Sequence, residues 1–339
     1  MNTIIIAEAG VNHNGDIKLA KKMIDIASDA KADYIKFQTF KAKNLATKDA
    51  EKSDYQKMNT KNGGTQYNML KGLELNKENH IELIKYCKLK NIKFLSSAFD
   101  LESLDFLLKL DLDFIKIPSG EINNYLYLKK IASQKIPVIL STGMATMNEI
   151  KSAIKILTSS ALSIDDITIL HCNTEYPTPM ADVNLKAMLK IKDHFKVNIG
   201  YSDHTLGIEI PIAAVALGAT IIEKHFTVNK KLNGPDHASS LDPNELTEMI
   251  TSIRNIEKAC NGTGIKEPSS SEIKNKSIVR KSIYLNLDIK KGDKLTEDML
   301  IALRPANGIS PMEIPNLVGR TANKDLKKYS QLKYEDLKK

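Results

Sequence analysis

Short, dense apolar runs recur along the first two thirds of the chain. Between them, apolar residues return every three or four positions. Eight of the runs predict strands, at residues 3–9, 33–38, 93–97, 114–118, 138–141, 168–172, 197–201 and 220–225. Several are near-continuous Ile, Val, Leu and Phe, the pattern of strands buried on both faces of a parallel sheet. The helical stretches carry their own start signals. Asp16 precedes a stripe of Leu19, Met23, Ile26 and Ala27. Thr146 and Glu149 form a capping-box pattern before Ile150, Ile154 and Leu157, and Asp242-Pro243 with Glu245 opens a helix through Met249, Ile253 and Ile256. Eight strand–helix alternations over about 260 residues predict an α/β fold, a (β/α)8 TIM barrel. A doubly wound open sheet is the alternative. It would place a GxGxxG turn after its first strand, where this chain reads AEAGVNHNGD.

The last βα unit of the barrel is the most telling stretch. In NIGYSDHTLGIEIPIAAVALGATIIEKHFT, residues 198–227, a strand leads into Ser202-Asp203-His204. A helix follows with Ile210, Ala213, Ala214 and Leu217, stopped by Gly218, and a second strand ends in Glu223-Lys224-His225. Adjacent parallel strands lie about 4.8 Å apart. A histidine at the C-terminal end of each strand lets two imidazoles reach one metal ion; a pair of satisfied rim residues is the plain alternative.

Two segments break the alternation. Residues 41–76 are polar and long, and predict a flexible loop over the barrel mouth. Residues 262–280, opening GTGIKEPSSSEIKNK, have linker composition. They divide a barrel domain at 1–261 from a compact β-rich module at 281–339, whose short strands are joined by Gly-centred turns. So small a module buries little core by itself and is expected to dock on a barrel, its own or a partner's.

Composition narrows the function. The formal charge is +8, but lysines are interspersed with carboxylates throughout, and no basic block with interleaved aromatics argues for nucleic acid. A mild positive balance favours small anionic substrates. No apolar run is long enough to cross a bilayer, and the first residues enter a strand without a basic leader, which predicts no membrane partner and no signal peptide. Cys87, Cys172 and Cys260 are scattered and odd in number, as in a reduced cytoplasm.

Chemistry in a barrel sits at the C-terminal strand ends. There the sequence places Glu8, with Asn12, His13 and Asn14 after it; Lys36 and Gln38 on one inward face; Ser96-Ser97; Lys116, Ser119 and Glu121 in IKIPSGE; Ser141-Thr142-Gly143; Asn173, Thr174, Glu175 and Tyr176; and His204 and His225. Lysines inside a barrel need an anion, either a ligand or a carboxylate such as Glu8 or Glu121. The hydroxyls and tight-turn N–H groups suit a phosphate. His13 reads as loop packing, His171 and Cys172 as core, and His194 as solvated. The ensemble predicts a metal-dependent enzyme that makes or breaks a C–C bond in a phosphorylated small molecule.

The motifs EAGVNHNGD, KFQTFKA, KIPSGEI, ILSTGMAT, LHCNTEYPTP, GYSDHTLG, EKHFT, GPDH and RPANGISPM together resemble the nonulosonic acid synthases, which include N-acetylneuraminate (sialic acid) synthase and its legionaminic acid relatives. The resemblance covers the whole chain in order. It implies a (β/α)8 barrel followed by an antifreeze-like (SAF) domain. It also implies condensation of phosphoenolpyruvate with an N-acetylmannosamine-type sugar and water, giving a 2-keto sugar acid and phosphate. On that basis a divalent metal, Mn²⁺ or Mg²⁺, is expected on His204 and His225. Lys36, Lys116, Ser119, Ser141 and Thr174 would hold phosphoenolpyruvate, and Glu8, Gln38, Tyr176 and Asp236 the sugar. Glu121 would be the catalytic acid/base, beside the catalytic lysines Lys36 and Lys116. Arg304 would reach the sugar's N-acetyl group from a partner's second domain, so a domain-swapped, head-to-tail homodimer is implied.

Some positions depart from the commonest pattern. SSAF stands for the more usual STPF, RPANG for RPGNG, and Thr174 for the Asn of some relatives. Ala306 and the opening EAGVNHNG lean toward the legionaminic branch, with 2,4-diacetamido-2,4,6-trideoxymannose as the sugar. The rivals are a related phosphoenolpyruvate-condensing synthase or a metal-dependent aldolase on the same barrel, and a carbohydrate- or ice-binding protein, the last suggested only by the C-terminal module.

Overall fold

A computed structural model describes residues 2–60 and 63–338. It separates into two compact units, Met1–Asn261 and Gly262–Lys339. In the first, eight parallel strands pair in chain order: β1 (Ile4–Gly10), β2 (Tyr34–Thr39), β3 (Lys93–Ala98), β4 (Ile115–Ile117), β5 (Val138–Ser141), β6 (Ile167–Cys172), β7 (Asn198–Asp203) and β8 (Ile221–His225). β8 pairs back onto β1, with Ile6 opposite Glu223 and Glu8 opposite His225, so the sheet closes into the barrel that the alternation predicts.

The helix start signals act as expected. The Asp16 carboxylate accepts from Lys18 N, and reciprocal capping boxes form at Thr146/Glu149 and Asp242/Glu245, with Pro243 in the first turn. These helices lay Met23, Ile24, Ile150, Leu157, Met249 and Ile253 on the outer faces of the strands, in one continuous core.

Inside the barrel, side chains alternate with the pleat. Ile6, Tyr34, Leu95, Ile139, Leu170 and Ile221 meet in a buried apolar plug. Two residues further along the same six strands stand Glu8, Lys36, Ser97, Ser141, Cys172 and Glu223, and β4 and β7 add Lys116 and Ser202. One pleat step thus turns hydrocarbon into a polar layer. The barrel is tight here: a Cβ on Gly200 would lie 2.4 Å from the Ile221 carbonyl oxygen.

The segment predicted as a flexible loop differs from expectation. It carries three short helices, Ala42–Leu45, Asp54–Thr60 and Gln66–Leu73. Its Lys61 and Asn62 lie outside the described residues. The physical reason is a second apolar surface: Leu73 is buried with Val11 and Phe40 while Leu45, Met69, Leu70 and Phe99 pack around them, a satellite core at the mouth. Asn59 Nδ2 also donates to the Pro235 carbonyl at 2.6 Å, tying the segment to the loop after β8.

The second unit is built on β9 (Ser282–Leu285), antiparallel to β10 (Leu300–Leu303), with a small core of Ile283, Leu285, Ile289, Leu295, Leu317 and Leu332. The stretch read as a linker is helical over Ser270–Val279. Ser269 and Glu272 form a capping box that starts this helix, and it buries no residue.

Candidate active site

The polar layer forms the floor of a cavity of about 260 Å³ at the C-terminal strand ends. Lys36 Nζ lies 2.8 Å from Glu8 Oε2, 3.6 Å from Glu223 Oε1 and 3.0 Å from Ser97 Oγ. Lys116 Nζ lies 3.6 Å from the same Glu223 oxygen and donates to Ser141 Oγ at 2.7 Å. Two ammonium groups therefore share one carboxylate in a fully buried layer. Burial disfavours each charge, and the balance differs from residue to residue. At Lys36 the attraction of Glu223 and Glu8 outweighs burial, and its pKa rises. At Lys116 burial dominates and the pKa falls, with Glu223 opposing. Glu223 is buried too, but Lys116 and Lys36 hold it below the ordinary carboxylate range. Burial pushes Glu8 up to about 7 against the pull of Lys36.

The wall between β5 and β6 suits an oxyanion. Ser119 Oγ accepts from Gly143 N at 3.0 Å and lies 3.3 Å from Cys172 Sγ, while Thr174 stands alongside. A Cβ on Gly143 would come within 2.5 Å of Thr174 Cγ2, so the turn must be glycine. Cys172, expected in the core, faces the cavity, because β6 alternates Leu170 and Cys172 inward; His171 turns outward and bonds the Val183 carbonyl at 3.0 Å. His13 is packed by Phe37, as read from the sequence, and His194 is exposed.

On the opposite rim, the His204 and His225 rings are 5.5 Å apart. His204 Nδ1 bonds the Asn173 carbonyl, and its Nε2 meets the Tyr176 hydroxyl at 3.0 Å. The Tyr176 ring lies over His204 and edge-on to His225. Burial lowers His204 to about 4 and His225 well below its usual value, so both imidazoles are neutral at pH 7, the form that ligates metals. His225 Nδ1 is buried without a hydrogen-bond partner. Among the described residues no third His, Cys, Asp or Glu completes a protein-only cage. Two neutral nitrogens facing one cavity fit a divalent ion whose other positions go to ligand oxygens or water. Behind them, Lys224 and Asp203 form an ion pair with no side-chain exposure, which pins the ends of β7 and β8. Asp236 lines the cavity, and burial alone raises it to about 7. Gln38 lines it as well, its amide 3.5 Å from Glu8 Oε1.

Ser119–Glu121 forms a 3-10 turn, and the Glu121 carboxylate accepts from Asn124 Nδ2 at 2.6 Å instead of lining the cavity. Arg304 belongs to the second unit and is exposed there. Conversely, sequence reasoning missed Glu223. Its signal was present, since it precedes His225 by two residues and must share its face.

A closed barrel with buried cations, hydroxyls and paired imidazoles at its mouth defines an enzyme that handles a small anionic substrate. The sequence model of the NeuB family matches residues 23–266, and that of the SAF domain residues 280–338. The chain belongs to the NeuB family. It is 54% identical over 96% of its length, and 97% of the relative's, to N,N'-diacetyllegionaminic acid synthase of Campylobacter jejuni. Identity to the synthase of the same name from Legionella pneumophila is 47%, over 99% of this chain and 95% of that one. Among solved structures, the N-acetylneuraminic acid (sialic acid) synthetase of Leptospira borgpetersenii, in complex with citrate, superposes with a TM-score of 0.70 at 37% identity, over 81% of this chain and 90% of that one.

Proposed function

We propose that this protein condenses phosphoenolpyruvate with 2,4-diacetamido-2,4,6-trideoxymannose and water to give a legionaminic-type nonulosonic acid and phosphate. The observation that carries the reaction is the pair of ammonium groups, Lys36 and Lys116, at the floor of the cavity. Glu223 is one carboxylate shared by two cations, and burial brings Glu8 to about 7, so the floor keeps room for a further anion, which a phosphate with a carboxylate supplies. The choice of sugar rests on the greater similarity to the two legionaminic acid synthases than to the sialic acid synthetase.

Lys36 and Lys116 hold the anion, with Ser119, Ser141, Thr174 and the turn at Gly143 around its oxygens. Glu8, Gln38, Tyr176 and Asp236 face the sugar. A divalent cation held by His204 and His225 would polarise the sugar's carbonyl as a Lewis acid. The enolpyruvate methylene attacks that carbon, and a proton is delivered to its oxygen. Water adds at C2, and phosphate leaves by C–O cleavage. Carboxyls raised by burial are suited to hold and pass protons, and Glu8 and Asp236 answer that description beside Glu121. Arg304 would close over the N-acetyl group from a partner's second domain in a homodimer. The enzyme would work in the cytoplasm, where phosphoenolpyruvate is found.

The test is phosphate release with Mn²⁺ and phosphoenolpyruvate, offering 2,4-diacetamido-2,4,6-trideoxymannose or N-acetylmannosamine. Release with the first at the higher kcat/KM supports the reading. A preference for N-acetylmannosamine would favour the sialic acid branch, and release with neither would end both.

A further inference from the structure

The cavity is chemically two-sided. Its floor and rim are polar, but the wall from the segment after β2 presents Leu45, Met69 and Leu70, backed by Leu73 and Phe99. Leu45, Met69 and Leu70 are only partly buried, so hydrocarbon faces the space left for a ligand. The polar groups nearby are already engaged. Gln56 Oε1 accepts from Ser53 N at 3.1 Å and Gln66 Nε2 at 3.4 Å, while its amide nitrogen donates to the Tyr55 hydroxyl at 3.3 Å. The Tyr55 ring stacks on Tyr176 at 5.2 Å, which sets this wall beside the two histidines. The roof thus has apolar surface to offer and little spare hydrogen-bonding capacity.

We infer that this roof determines the choice of sugar: Met69 and Leu70 receive the end of the substrate remote from the reacting carbonyl, and favour one that is deoxygenated and acylated over one that carries free hydroxyls. A methyl and an acetyl methyl gain by leaving water for such a surface. A hydroxyl placed against Met69 and Leu70 loses its water and gains no hydrogen bond from either side chain. The assignment rests on the condensation reading above and deepens it, since it names residues that discriminate between sugars without touching the reacting atoms.

The experiment compares kcat/KM for 2,4-diacetamido-2,4,6-trideoxymannose and N-acetylmannosamine, with Mn²⁺ and saturating phosphoenolpyruvate, in the unaltered enzyme and in Met69→Gln, Leu70→Gln and Leu70→Met. The unaltered enzyme should favour the deoxy sugar at least tenfold. Each glutamine should lower that ratio by about tenfold, through the KM of the deoxy sugar, with the KM for phosphoenolpyruvate unchanged. Leu70→Met should keep the ratio, because it keeps the apolar surface. If Leu70→Gln does not fold, Met69→Gln carries the comparison. Glutamine variants that slow both sugars equally would overturn the inference and leave the reaction intact. So would an unaltered enzyme that prefers N-acetylmannosamine. An enzyme that consumes phosphoenolpyruvate with neither sugar would overturn the condensation reading, and the inference with it.

Discussion

Replacing Lys116 by methionine isolates one ammonium group while keeping the stem that fills the barrel. Lys116 Nζ has two polar neighbours, Ser141 Oγ at 2.7 Å and Glu223 Oε1 at 3.6 Å, and its side chain is 2% exposed. Water therefore does not replace the lost charge. Removing one partner of a buried, charge-assisted contact typically costs about 2–5 kcal/mol. For a bound phosphoenolpyruvate that is roughly a 30- to 4,000-fold fall in kcat/KM. The effect on folding should be far smaller. Methionine removes a cation that burial disfavours, and Glu223 keeps Lys36 at 3.6 Å and the Ser202 hydroxyl at 3.2 Å. The net change in stability is expected within about 2 kcal/mol. Phosphate release at varied phosphoenolpyruvate and saturating sugar gives the first quantity, and urea unfolding the second. A folded Lys116→Met enzyme whose KM for phosphoenolpyruvate moves by less than about threefold would refute the placement of the anion on this floor.

Other outcomes follow from the same geometry. Lys224→Met leaves the Asp203 carboxylate with its Thr205 hydrogen bonds but no cation, and should destabilise the barrel by about 3–5 kcal/mol in urea titrations, whereas Asp203→Leu/Lys224→Met together should recover most of it. Asp236 is raised to about 7 from 3.8, so the folded state binds the extra proton and stability from this group falls as pH rises from about 4 to 7. Asp236→Asn should therefore unfold at higher urea than the unaltered protein at pH 8, with the difference fading below pH 4, while sugar KM rises. His225→Ala should weaken Mn²⁺ binding by at least tenfold in calorimetric titration with the circular dichroism spectrum retained; unchanged affinity would remove it as a ligand.

Much of this architecture can be read from one dimension because buried parallel strands impose two simple rules. Continuous Ile/Val/Leu runs mark the strands, and a step of two marks the face. Those rules place Lys36 with Gln38 and put a histidine at the end of each of the last two strands. The same rule would have delivered Glu223 from His225. The Asp203–Lys224 pair was illegible because it spans two strands, and its register depends on how the barrel closes. A step of two does not extend to Glu121, because the 3-10 turn after β4 has a different period from the strand before it. The roof was hidden for a third reason. Met69, Leu70 and Leu73 carry a helical spacing for only one turn in a long polar stretch, and the surface that orders them comes from Val11, Phe40 and Phe99 on other loops.

The apolar plug beneath the polar layer makes the barrel a blind well. Among the described residues the cavity opens at the C-terminal strand ends, above that plug, so arrivals must queue. Whatever rests on the two ammonium groups has to enter before the companion that sits above it, and cannot depart while that companion stays. The way Ile6, Tyr34, Leu95, Ile139, Leu170 and Ile221 close the bottom of the shaft predicts an ordered addition, to be seen as inhibition by phosphate that is competitive only against the substrate seated on the ammonium groups.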